Sequence, residues 1–149
     1  MAFLVFSLTA CNPTKTYTCQ ELTMQVPENM EDVSKLEENA MFRFALESDE
    51  LFISGIRQDF MDFENGKDMS LHDYVHQLTE DNGMTDAVHN DRNGYVYLYF
   101  EMPLADGVHT YLCGAYRAAE GFWLIQIDSL RVNFDEEQAF KYLDSVEFN

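Results

Sequence analysis

His72 and His76 stand four residues apart in the stretch SLHDYVHQLTEDNG, and Glu80 follows four residues later. Two imidazoles at that spacing on a helix lie on one flank and can share a divalent metal, with a carboxylate as third ligand. What they can do depends on where the flank points. Leu71, Tyr74, Val75 and Leu78 follow the i, i+3, i+4, i+7 spacing of a buried stripe. At about 100° per residue, His72, His76 and Glu80 fall roughly 100° to 180° from Leu71, on the flank and outer face. The expectation is a solvated polar face, with these three residues as weak metal candidates. The glutamate of a His-Glu-x-x-His motif is missing, because Asp73-Tyr74-Val75 stand between the histidines. Hydrolytic zinc chemistry therefore has no support.

The acidic stretch with Asp59, Asp62, Glu64 and Asp68 invites a calcium reading. From Asp62, however, the fifth position of an EF-type loop is Gly66 and the sixth is Lys67, so the ligand pattern fails. Tyr95, Tyr97 and Tyr99 share one face of a strand. Left uncovered, such a ladder could stack sugars or hold a partner; covered, it is core. It is the candidate binding surface, set against a core reading. Ser54-Gly55 lacks the Gly-x-Ser-x-Gly context of a hydrolase nucleophile, and no phosphate-cradling glycine loop is present. The expectation is no enzyme, no catalytic residue and no cofactor.

Three cysteines occur, Cys11, Cys19 and Cys113, with no Cys-x-x-Cys pair. Structural zinc of the usual spacing is thus not expected. In an oxidising compartment Cys19 and Cys113 could form a disulfide, though two small buried thiols are the commoner outcome. Leu8-Thr9-Ala10-Cys11 follows an uncharged apolar run and resembles the bacterial lipobox. That resemblance implies cleavage before Cys11 and a diacylglycerol on its thiol. Residues 1–10 are then a signal peptide, 11–16 a tether and 17–149 one domain. The apolar run is far shorter than the roughly 20 residues of a membrane-spanning helix.

Across its 149 residues the chain is 46% hydrophobic and 14% aromatic, enough for a real core. Nine Lys and Arg stand against 27 Asp and Glu, for a net charge of −18. That charge repels nucleic acid and anionic headgroups, so nucleic-acid binding is excluded and any membrane attachment falls to lipid.

Tyr17 to Val26 alternates as a half-buried strand that Pro27 stops. Met30, Val33 and Leu36 recur at helical spacing over 28–36. Residues 40–46 and 51–58 form a hairpin, and 59–68 a loop. Ser70 with Asp73 opens the central helix and Asn82-Gly83 closes it. Residues 85–89, 95–102, 109–118 and 122–130 form a meander through Asn93-Gly94, Asp106-Gly107 and Glu120-Gly121. Asp135 with Gln138 opens a last helix striped by Ala139, Leu143 and Val146. Strands apolar on both faces imply a sheet covered on both sides. The fold class is α+β: a single, mostly antiparallel sheet of about seven strands with helices packed on it.

This order of elements, with Val26, Pro27, Met30, Phe42, Arg43 and Phe44 at its opening, resembles the PsbP-like superfamily. Its members include PsbP and DcrB-type bacterial envelope lipoproteins. Pro27, Met30, Val33 and Leu36 give the chain the look of an uncharacterised Bacteroidetes-type member. The resemblance implies no catalytic residues. It leads to the expectation of a non-catalytic lipoprotein of the bacterial cell envelope, on its periplasmic or surface face, that binds or assembles a protein partner. A chaperone or adaptor that shields apolar client segments is the alternative, and a metal- or sugar-binding protein a more distant one.

Overall fold

The computed structural model describes residues 13–36, 41–84, 86–129 and 134–149. Its first strands are β1 (Thr14–Cys19), β2 (Leu22–Pro27) and the short β3 (Glu31–Asp32), followed by β4 (Phe42–Glu47) and β5 (Leu51–Asp59). Helix α1 (Leu71–Asp81) comes next, and then β6 (Val88–Arg92), β7 (Tyr95–Leu104), β8 (Gly107–Arg117) and β9 (Gly121–Ser129). Helix α2 (Glu136–Leu143) and β10 (Glu147–Phe148) close the chain. The architecture is α+β. Seven strands form an antiparallel sheet in the order β3-β4-β5-β9-β8-β7-β6, and β1-β2-β10 form a separate sheet.

The meander rests on turn chemistry. Asn93 and Gly94 both take positive φ, 45° and 90°, in the tight turn between β6 and β7. Helix α1 starts at Ser70, whose hydroxyl accepts the Asp73 N–H while the Asp73 carboxylate accepts the Ser70 N–H. These two bonds close the capping box read from the sequence. Gly83, at φ 65°, ends the helix region.

Alternation along β9 feeds two cores. Trp123, Ile125 and Ile127 face the small sheet and α2, packing with Leu22, Met24, Val26, Phe44 and Leu143. Phe122 and Leu124 face α1, packing with Tyr74, Val75, Val96 and Cys113. Both sheet faces are covered, one by α2 and the second sheet, the other partly by α1.

Three local expectations are corrected. Residues 17–26 are not one strand but the end of β1, a turn and most of β2, with Cys19 opposite Leu22 and Gln20 at φ 54°. The turn is fixed by the tertiary contact of Glu21 with Trp123 and Arg57, which no local pattern reveals. Leu22, Met24 and Val26 are indeed all buried. Strand β1 begins at Thr14, so part of the stretch read as tether is paired with β2.

Residues 28–36 are not helical. Asp32 Oδ1 accepts the Ser34 N–H at 3.0 Å, and the Val33 N–H donates to the Ala45 carbonyl at 2.9 Å. Short polar side chains here bind the backbone in a turn that competes with helix. Met30 alone of the three apolar residues is fully buried, while Leu36 is 79% exposed. The last helix also ends early, at Leu143, and Glu147–Phe148 then pairs with β2. Among the described residues no helix is long and apolar enough to cross a membrane.

Candidate functional site

The face of the large sheet under α1 is only half covered. Tyr74 of α1 stacks on Phe122 with centroids 4.3 Å apart and planes 6° apart, and Phe63 meets both rings edge-on. The Tyr74 hydroxyl donates to Gln58 Oε1 at 2.8 Å. These contacts seat the helix over one end of the sheet. Two rows of side chains on the same face, the inner one partly packed in the α1 core, line a groove of about 540 Å³.

Strand register assembles the rows. Ser54, Gln126, Cys113 and Leu98 line up across β5, β9, β8 and β7. The next row reads Phe52, Asp128, Tyr111 and Phe100. Phe42 joins the wall because β4 carries an irregularity between Phe42 and Phe44, which sends these two rings to opposite faces. Phe100 stacks on Tyr111 at 5.1 Å and 9°, and Phe42 lies 6.3 Å from Phe52. Met41, Met84 and Met102 stand at the mouth beside Leu78 and Asp81. Among the described lining residues the charged ones are Asp81 and Asp128, both acidic.

The polar groups of the floor are internally satisfied. The Ser54 hydroxyl donates to Gln126 Oε1 at 3.4 Å. His109 Nδ1 lies 3.1 Å from both oxygens of Asp128, and its Nε2 lies 3.1 Å from Asp106 Oδ1. The hydrogen bond to Asp128 holds the His109 pKa above its ordinary value. Asp128 is 8% exposed, and burial raises its carboxyl above the usual range despite the imidazole beside it. Burial also pushes the Cys113 thiol up to about 12, so it stays protonated and is no nucleophile at neutral pH. Ser54 bonds to an amide while the imidazole serves two carboxylates, so the serine and the histidine do not form a nucleophile–base pair.

The residues singled out from sequence lie elsewhere. His72 Nε2 sits 2.9 Å from Asp91 of β6 and His76 Nδ1 sits 3.4 Å from Glu80, both histidines being exposed on the flank of α1. The two imidazoles have separate partners. Among the described residues no three His, Cys, Asp or Glu side chains are grouped to hold a metal ion.

Tyr95 is buried, stacks on Tyr116 at 4.7 Å and donates to Asp144 at 2.9 Å. Tyr97 meets Phe140 of α2 edge-on at 5.0 Å, and Tyr99 is half-buried in the same core. The tyrosine ladder therefore lies against α2, on the face opposite the groove, and is not an open platform. Cys19 and Cys113 are both free. They belong to different cores on opposite faces of the large sheet. In the acidic stretch, Asp59 pairs with Arg57, and Asp62 accepts the Asp59 N–H at 2.9 Å. Cys11 lies outside the described residues.

The groove itself escaped the sequence reading. One signal was present: along β9 the groove-side positions change from Phe122 and Leu124 to Gln126 and Asp128. That change marks where a covering helix stops.

No family model matches this chain, and no curated protein matches it. Solved structures do. A protein from Bacteroides thetaiotaomicron superposes with a TM-score of 0.59 at 12% identity. The match covers 91% of this chain and 48% of the other, so the chain spans about half the length of that protein. The cyanobacterial PsbP protein (CyanoP) from Synechocystis superposes with a TM-score of 0.59 at 14% identity, over 95% of each chain. At such identities the likeness speaks for the fold alone. The fold of this chain is PsbP-like, as its order of elements implied.

Proposed function

We propose that this chain is a non-catalytic binding module of a bacterial cell envelope. Lipid on Cys11 holds it at a membrane surface, and it recognises a protein partner through the groove beside α1. The observation that carries the reading is the groove: aromatic walls on an uncovered half of a sheet face, over a floor whose polar groups already bind one another. Such a surface suits recognition more than bond-breaking. The lipobox-like Leu8-Thr9-Ala10-Cys11 and the net charge of −18 support a lipid anchor, since the acidic domain gains nothing from anionic headgroups.

Two measurements test it. Mass spectrometry of membrane fractions should find Cys11 acylated, and Cys11→Ala should release the protein. A photo-crosslinking residue in place of Phe100 should give a discrete adduct in the native cell. The same residue in place of Glu137, exposed on α2, should give none. Equal labelling from both positions would overturn the groove as the recognition surface. The methionines at the mouth favour one variant of this reading, a chaperone or adaptor for apolar client segments, because Met adapts its shape to different neighbours. Suppression of client aggregation by the wild type, lost in Phe52→Ala, would support that variant.

A further inference from the structure

We propose that the groove takes a peptide segment built of apolar side chains around one lysine or arginine, with the cation seated over Asp128 between Phe52 and the Tyr111–Phe100 stack. The inference rests on the groove being the recognition surface and adds the chemistry of its occupant. Register places Asp128 between Phe52 on β5 and Tyr111 on β8, and its carboxylate already meets His109 and Tyr111. A cation close to a ring face gains from the quadrupole, and more so where water is partly excluded. A carboxylate within the same row adds a direct ion pair.

His109 does not cancel this attraction. It bridges Asp128 and Asp106, so the trio keeps one net negative charge even with the imidazolium formed. Asp81 at the mouth adds a second negative charge, and no Lys or Arg is among the described lining residues. Across the chain, 27 acidic against 9 basic residues steer a basic partner in and an acidic one away.

The rest of the groove fixes the rest of the occupant. Aromatic walls take apolar side chains on either side of the cation. Met41, Met84 and Met102 at the mouth suit a chain of variable side chains better than one rigid small molecule. The volume, about 540 Å³, matches sites that enclose a drug-sized ligand or a few side chains.

The test uses three fluorescein-labelled peptides that are identical leucine-rich segments except for a central lysine, glutamine or glutamate. Fluorescence anisotropy with the folded protein at low salt should rank them lysine, glutamine, glutamate, with about tenfold between first and last. Asp128→Asn should bring the lysine-to-glutamate ratio close to one. Phe52→Ala should weaken the lysine and glutamine peptides together, and circular dichroism will show that each variant is folded. Asp81→Asn, at the exposed mouth, gives a second reading of the charge effect and should lower the ratio by a smaller factor. Equal binding of all three peptides, or a lysine preference that survives Asp128→Asn, would overturn the cation seat and leave the groove standing. Failure of every peptide to bind would overturn the groove reading itself. Displacement of the lysine peptide by dodecyltrimethylammonium below its micellar concentration, as effective as the unlabelled peptide, would assign the site to a small amphiphile and overturn the peptide proposal.

Discussion

The indole Nε1 of Trp123 donates to Glu21 Oε1 across 3.0 Å, tying the turn between β1 and β2 to the central strand of the large sheet. The same oxygen accepts Arg57 Nε at 2.7 Å, and Arg57 also reaches Asp59. Glu21 thus fixes the hairpin over the core and satisfies the N–H of the fully buried Trp123. Glu21→Ala should lower stability by about 1–3 kcal/mol in urea denaturation, the range for orphaning buried donors. Glu21→Gln, which keeps an acceptor oxygen, should lose less. An unfolding midpoint unchanged in both variants would show that the contact holds nothing.

Asp144 sits just past α2, where a carboxylate works against the helix dipole. Four donors hold it there: Arg92 Nε at 2.9 Å and Nη2 at 2.7 Å, Asn93 Nδ2 at 3.1 Å and the Tyr95 hydroxyl at 2.9 Å. The hydrogen bond from Arg92 keeps its carboxyl below the usual range. A depressed folded-state pKa means that the stabilisation is complete above the unfolded value, about 3.9, and is lost as pH falls through the folded one. The stability gap between wild type and Asp144→Asn should therefore stay constant from pH 5 to 8 and shrink below about pH 4. Chemical denaturation at a series of pH values measures it, and a gap that widens in acid would refute the assignment.

Gly55 is a packing requirement. A Cβ there would stand 2.2 Å from Phe44 Cε1, and Phe44 is held between Tyr17 and Trp123 at centroid distances of 5.1 and 6.4 Å. Gly55→Ala should cost about 1–3 kcal/mol through displacement of that ring. Gly83→Ala, with nothing within 4 Å but a φ of 65°, should lose about 1 kcal/mol from backbone strain alone. Thermal melts of the two variants should rank in that order.

Both described thiols should report their burial. Cys113 is enclosed, with its pKa pushed up to about 12, and burial raises that of the half-buried Cys19 too. A thiol reagent such as Ellman's should label Cys19 slowly and Cys113 only after unfolding. Intact mass under non-reducing conditions should show neither joined to the other, and a mass loss for a Cys19–Cys113 bridge would contradict the two-core arrangement.

What could be read from sequence was whatever local chemistry decides. The capping box of Ser70 and Asp73, the Asn93-Gly94 turn and the alternation from Phe122 to Ile127 each fix their geometry within a few residues. The turn at Gln20 does not, because its determinant is Trp123, about a hundred residues along. The segment 28–36 carried helical spacing too short to sustain a helix once Asp32 and Ser34 engaged the backbone. Strand β10 needs the free edge of β2, which only the folded chain provides. The groove was illegible for the same reason. Phe52, Phe100, Tyr111 and Asp128 are neighbours only through the register of four strands, and each looks ordinary alone. The tyrosine ladder was plain as a pattern, but its cover, Phe140 of α2, came from elsewhere in the chain.

Strand β9 is the shared wall of both cores, with Trp123 turned one way and Phe122 the other. Neither half can melt while its neighbour persists, since each would strip the common partition of its backing. The protein should thus lose its structure in one step. The outer row of Phe52, Tyr111 and Phe100 contributes less to that step than the buried Leu98 and Cys113 of the inner row, which leaves it free to be reshaped for a new guest without loosening the scaffold.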